Sequence, residues 1–172
     1  MNEHVTDDVL ARARRVKLLA FDVDGVCTDG RLFYGPDGCA LHAFHARDGL
    51  GLVLARGAGV VCAAVSGRTS PNVLARLSEL KVPYVRQGVA QKDEEVTALA
   101  ALVGVGLDEC CFVGDDVNDL PAMRIVGLGV AVSDAEVDVV DGAHFVTRRA
   151  GGHGAIRELV EVILRSQGKW AP

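Results

Sequence analysis

The stretch 'KLLAFDVDGVCTDG', residues 17–30, begins as an oily run, breaks at Asp22, and carries a second carboxylate at Asp24 with glycine directly behind it. A short apolar run bounded by charge upstream and glycine downstream predicts a strand over Val16–Asp22, buried on both faces as in the middle of a parallel sheet. Two negative charges beyond the end of such a strand call for an explanation. Crowded carboxylates repel one another and resist ionising unless a cation holds them together.

Similar runs recur at Val60–Ser66 ('VVCAAVS'), Cys110–Asp115 ('CCFVGD') and Leu128–Val132 ('LGVAV'). Between them, 'SPNVLARLSEL' and 'QKDEEVTALAALVG' have helical periodicity. The alternation predicts an α/β fold: a doubly wound, Rossmann-type parallel sheet with helices on both faces. Residues 31–44, 'RLFYGPDGCALHAF', break the rhythm, because two β-prone arms flank Pro36-Asp37-Gly38 and predict a β-hairpin inserted after the first strand. The C-terminal 'AGGHGAIRELVEVILRSQG' predicts a last helix, apolar at Ile156, Leu159, Val160, Ile163 and Leu164. A chain of 172 residues is expected to form one domain over residues 1–172.

Composition narrows the function. At 49% hydrophobic residues and a formal charge of -5, the chain has no general attraction for nucleic acid or an anionic membrane. No apolar stretch reaches membrane-spanning length, and 'MNEHVTDDVL' lacks the basic start and oily middle of a leader, so the cytoplasm is the expected compartment. Five cysteines without C-x-x-C spacing predict buried thiols, neither disulfides nor a zinc site. Cys27 is read as packing, His4, His42 and His144 as surface or loop residues, and Arg148 with Arg149 as a solvated face.

Ligands of open parallel sheets bind beyond the carboxyl ends of the strands. There the first strand delivers Asp22 and Asp24, the second delivers Ser66, Gly67 and Arg68, and the strand at Cys110 delivers Asp115, Asp116 and Asp119. Lys92 begins a helix near the same edge. Oxygen donors without histidine or cysteine favour magnesium, which leaves room for a phosphate oxygen. One carboxylate can then attack phosphorus while the other protonates the leaving alcohol and later deprotonates water.

'DVDGVCTDG', 'VSGR', Lys92 and 'GDDVNDLPAM' together resemble the four ordered motifs of the haloacid dehalogenase superfamily. More narrowly, 'DGVCTDG', 'FHARDGLG', 'SGR', 'GDDVNDLPAM', 'VGLGVAVSDA' and 'VTRRAGGHGAIRE' resemble the 3-deoxy-D-manno-octulosonate 8-phosphate phosphatases over nearly the whole chain. The resemblance implies that Asp22 is a nucleophile forming an aspartyl-phosphate and Asp24 the general acid and base. It implies magnesium held by the Asp22 carboxylate, the Asp24 backbone carbonyl and Asp115. Ser66 would hydrogen-bond the phosphoryl group and Lys92 neutralise charge, while Asp116 and Asp119 orient metal waters and the lysine. Gly67 and Arg68 would meet the substrate, Arg68 taking a sugar-acid carboxylate with Arg47 beside it. The family is a set of capless homotetramers whose hairpin builds the subunit interface and whose neighbouring chain helps to close the site.

Spacing supports the capless reading independently: neither the gap from Asp24 to Ser66 nor that from Ser66 to Lys92 has room for a cap domain. His45 stands where the family has asparagine, and His153 where arginine, lysine or glutamine is common; both departures bear on the substrate. A nonulosonate 9-phosphate phosphatase, a broad sugar-phosphate phosphatase, and an inactive oligomeric sugar-phosphate-binding or regulatory protein remain alternatives.

Overall fold

The protein is described by a computed structural model covering residues 5–38 and 40–171; the readings of His4 and Cys39 lie outside the described residues. Its elements run α1 (Asp7–Arg15), β1 (Leu18–Phe21), β2 (Phe33–Tyr34), β3 (Ala40–Leu41), α2 (Ala46–Gly57), β4 (Val61–Val65), α3 (Pro71–Glu79) and β5 (Tyr84–Arg86). They continue as α4 (Lys92–Val103), β6 (Cys110–Gly114), α5 (Leu120–Ile125), β7 (Leu128–Ala131), α6 (Val137–Asp141), β8 (Phe145–Val146) and α7 (Ala155–Ser166), with short 3-10 turns at Leu107–Glu109 and Val117–Asp119.

Six strands form one parallel sheet in the order β5-β4-β1-β6-β7-β8. The chain starts in the middle, builds outward through β4 and β5, then crosses back over β1 to continue through β6. The direction of winding therefore reverses at β1, and it is beyond the carboxyl ends of the strands at such a switch point that open sheets bind ligands. This is the doubly wound sheet that the recurrent apolar runs predict. Only the hairpin and α2 lie between β1 and β4, and only α3 and β5 between β4 and α4, so there is no cap domain.

Because side chains alternate along a strand, β1 divides its burial between two cores. Leu19 and Phe21 join Val9, Leu52, Val73, Leu77, Ile156, Leu159 and Ile163 on the face covered by α1, α2, α3 and α7. Leu18 and Ala20 join Val96, Leu99, Phe112, Ala122, Met123 and Val139 on the face covered by α4, α5 and α6. A strand with no wet face must read as continuously apolar. The five apolar positions named for the last helix are all buried in α7.

Helices α1, α5 and α6 and the two-residue strand β8 are additions to what the sequence reading assigns. Helix α1 had a visible start signal: the Thr6 hydroxyl accepts from the Val9 N–H, Asp7 and Asp8 fill the first turn, and Arg14 and Arg15 the last. β8 is too short for any period to register.

The glycine-rich stretch before α7 packs directly on the loop that follows β1. Gly152 N donates to the Val26 carbonyl at 2.9 Å, and a Cβ at Gly151 would lie 1.6 Å from the Gly25 carbonyl oxygen. Asp48 of α2 anchors the same region, its buried carboxylate accepting from the N–H groups of Gly154 and Arg157 at the start of α7. Glu158 accepts from the N–H groups of Arg148 and Arg149, whose residues are exposed as the sequence reading expects. Gly151→Ala is therefore expected to destabilise the fold by about 2–3 kcal/mol, since two backbones must separate to admit the methyl. Gly57→Ala, at the end of α2 with open space around it, is expected to be neutral or stabilising by about 0.5 kcal/mol. Paired thermal melts check both.

Candidate active site

Asp22 is the first residue past β1, and its backbone N–H still bonds to the Val113 carbonyl of β6. The turn beyond it is fixed by Thr28, fully buried, whose hydroxyl accepts from Gly25 N and Gly30 N and donates to the Val23 carbonyl. Gly25 has a left-handed backbone with φ +88°, and a Cβ there would lie 1.9 Å from Asp115 Oδ2. The glycine after Asp24 thus serves both the turn and the close approach of Asp115 from β6.

Lys92, the first residue of α4, is buried with its Nζ 3.0 Å from Asp22 Oδ1 and 2.6 Å from Asp119 Oδ1. Asp119 is fully buried; its other oxygen accepts from the backbone N–H groups of Asp115 (3.0 Å) and Asp116 (3.3 Å). Both Asp119 oxygens are therefore committed within the protein, and this residue sets the shape of the 'GDDVND' loop. Asp116 is exposed and accepts from Val117 N at 2.6 Å, capping the 3-10 turn. Ser66 follows β4 directly, buried, with its Oγ accepting from Arg68 N at 3.2 Å. Gly67 and Arg68 stand exposed beyond it.

Ligand oxygens of Asp22, Asp115 and Asp119 lie within 4.8 Å of one another, and Asp115 Oδ1 is buried without a hydrogen-bond partner. Three carboxyls face one ammonium. Burial, then the charges of Asp22 and Asp119, raise the Asp115 pKa to about 8, against the opposing effect of Lys92. Burial and Asp119 raise that of Asp22 to about 6, again partly offset by Lys92. Burial works against the charge on Lys92, but Asp22 and Asp119 outweigh it and its pKa is raised. An excess of buried carboxylate with an orphaned, inward-facing oxygen fits a hard divalent cation, for which Asp22 and Asp115 have the oxygens to spare.

Arg47 is not brought into this cluster: it stands exposed on the first turn of α2, and its side chain has no hydrogen bond or ion pair among the described residues. His45 caps that helix, its Nδ1 accepting from Arg47 N, a role for which asparagine is equally suited. Cys27 is buried, and burial followed by the charges of Asp48, Asp22 and Asp24 pushes its thiol pKa well above the ordinary value. No reactive thiolate is available there.

The reading of His42 as a surface or loop residue needs correction. It does lie on the loop after β3, yet its side chain is only 1% exposed, with Nε2 3.3 Å from Asp24 Oδ1 and without hydrogen-bond alignment. Arg68 Nε lies 3.7 Å from the other oxygen of Asp24, and its Nη2 donates to the Tyr34 hydroxyl at 2.8 Å. Tyr34 and His42 are the two site neighbours that sequence reasoning missed. The hairpin register places them, and nothing in the sequence sets that register: Phe33 pairs with Leu41 and Tyr34 with Ala40, so Phe33 and Leu41 share one face and Tyr34 and Ala40 the other.

The model of the haloacid dehalogenase-like hydrolases matches residues 65–159, more than half of the chain. The 3-deoxy-D-manno-octulosonate 8-phosphate phosphatase KdsC of Escherichia coli K12 is 39% identical over 165 residues, covering 96% of this chain and 88% of its own. The chain belongs to this family of haloacid dehalogenase-like hydrolases. A crystal structure of the Yersinia pestis 3-deoxy-D-manno-octulosonate 8-phosphate phosphatase superimposes with a TM-score of 0.93 at 38% identity, over 95% of this chain and 88% of that one. The Moraxella catarrhalis phosphatase, solved with magnesium, phosphate and a KDO molecule, gives 0.93 at 34% identity over 95% and 94%.

In this hydrolase the raised carboxyl pKa values carry a definite sign. Without a cation, the two groups weaken the fold progressively as pH rises from their unfolded value of 3.8 towards the folded values of about 6 and about 8. A cation has to displace those protons. Magnesium affinity, measured by calorimetry without substrate, is expected to tighten roughly tenfold per pH unit between 6 and 8 and to level off above. Asp115→Asn should flatten that dependence and weaken binding throughout.

Proposed function

We propose that this chain is a magnesium-dependent phosphatase that hydrolyses 3-deoxy-D-manno-octulosonate 8-phosphate through an aspartyl-phosphate on Asp22. The observation that carries the reading is the buried Lys92 bridging Asp22 and Asp119, with Asp115 beside them, at the switch point of a sheet shared with phosphatases of that substrate. Asp22 attacks the phosphorus atom, and the bond to the sugar oxygen breaks as Asp24 delivers a proton to the leaving alkoxide. Water then attacks the aspartyl-phosphate, Asp24 takes its proton, and the bond from phosphorus to Asp22 breaks to free inorganic phosphate.

Lys92 holds the Asp22 carboxylate in place and carries positive charge against the phosphoryl oxygens, and Ser66 donates its hydroxyl to one of them. Each preorganised donor or cation of this kind is worth about 3–4 kcal/mol of transition-state stabilisation. Asp22, Asp115 and the Asp24 carbonyl would hold the magnesium ion, which would supply charge neutralisation for the phosphate. Asp119 fixes Lys92 and the loop; Asp116, at the loop surface, would orient water around a bound ion. Gly67 and Arg68 line the substrate side, Arg68 facing the sugar-acid carboxylate, with Arg47 further out. Buried, unpaired thiols at Cys27, Cys62, Cys110 and Cys111 suit a cytoplasmic setting, and no described helix is long and apolar enough to cross a membrane.

The oligomer is part of the proposal. Phe33 and Leu41 are 57% and 58% exposed on the hairpin face that points away from Arg68, and Leu50 and Val53 are exposed on α2. An uncapped site excludes water poorly, so covering that apolar face with other copies, as a homotetramer, serves both burial and closure.

Phosphate release from the octulosonate phosphate is expected to require magnesium, and Asp22→Asn to lower kcat by about a thousandfold or more. Equal slow release by wild type and variant would favour an inactive binding protein. Light scattering should give four chain masses for the wild type and a smaller species, with reduced turnover, for Phe33→Glu combined with Leu41→Glu.

A further inference from the structure

The hairpin approaches the site on its own subunit through a residue that no catalytic role accounts for. Tyr34 Oη accepts a hydrogen bond from Arg68 Nη2 at 2.8 Å, while Arg68 Nε is held 3.7 Å from Asp24 Oδ2. Asn72 fastens the same hairpin by donating to the Ala40 carbonyl at 2.7 Å. Arg68 is a long side chain on an exposed turn, half exposed itself, and would otherwise sample many rotamers, so ordering it carries an entropic cost. Here it is tethered at both ends of its guanidinium.

We propose that Tyr34 is a positioning and specificity residue for acidic sugar phosphates: it orients Arg68 and presents its own hydroxyl proton as a second donor to the substrate carboxylate. The inference rests on the reading of Arg68 as the carboxylate's partner. A phenol oxygen that accepts from a guanidinium keeps its O–H free and more polarised. Arg68 and Tyr34 then offer two adjacent donors to the two oxygens of one carboxylate, while a neutral sugar leaves both without a charged acceptor. Discrimination of this kind is stronger than that of an apolar pocket, because the wrong ligand leaves polar groups unmatched. Tyr34 is 62% exposed, so its hydroxyl is reachable from the solvent side of the site.

The test is a double-mutant cycle read on two substrates, 3-deoxy-D-manno-octulosonate 8-phosphate and glucose 6-phosphate. Tyr34→Phe should raise KM for the acidic substrate roughly three- to tenfold while kcat stays within about twofold, and so lower the preference for acid over neutral sugar. Arg68→Ala should remove most of that preference, and adding Tyr34→Phe to it should cost clearly less than it does in the wild type, because the phenol's positioning of the arginine is then already lost and only its own donor remains. If Arg68→Ala leaves the preference intact, the carboxylate reading itself falls and takes this inference with it. If Arg68→Ala abolishes the preference but Tyr34→Phe leaves KM unchanged, or costs as much in the Arg68→Ala background as in the wild type, the role of Tyr34 alone is overturned.

Discussion

Three buried or half-buried carboxyls, Asp22, Asp115 and Asp119, are arranged around one ammonium, Lys92, and the rest of the site depends on that imbalance. Three negative charges less one positive leave an excess of two, the charge of one divalent cation. Without the ion the excess is relieved by protons, which is the meaning of an Asp115 pKa near 8. The cluster is thus poised to exchange protons for a cation and then to meet a dianionic phosphate with its charges already in place. The cost of this arrangement falls on the fold, since buried like charges oppose packing; two dry cores on either side of β1 offset it.

Each carboxyl has a separate physical assignment because its surroundings differ. Asp119 has both oxygens committed and acts as framework. Asp115 keeps an orphaned oxygen and lies over Gly25. Asp24 has no ion pair with Lys92 among the described residues and instead lies between His42 and Arg68, whose nitrogens are 3.3 and 3.7 Å from its two oxygens. The hairpin joins the two scales of the molecule. One of its faces meets Arg68 through Tyr34, and the other exposes Phe33 and Leu41.

Much of this was legible in the sequence. The continuous apolar runs give the parallel sheet because strands with no wet face cannot alternate, and the charged residues just beyond each run mark the carboxyl edge. Asp22, Asp24, Ser66 and the 'GDDVND' loop could be placed at that edge on this basis, whereas the site role of Lys92 rests on motif order. The hairpin was legible from Pro36-Asp37-Gly38. What escaped was register and direction: which way Tyr34 and His42 point depends on a pairing of only two residues per strand, and nothing in the composition of 'HAF' tells a buried histidine from a solvated one. The tight packing of 'AGGHG' on the Gly25 loop was likewise hidden, since a glycine that exists for backbone contact looks the same as one that makes a turn.

The electrostatic account is tested most directly by locating the ion. A crystal soaked in manganese, which takes the same oxygen ligands and scatters anomalously, should show one strong peak about 2.1–2.2 Å from oxygens of both Asp22 and Asp115, with Lys92 still bridging Asp22 and Asp119. No peak at saturating manganese, or a peak that leaves Asp22 or Asp115 without contact, would contradict the account.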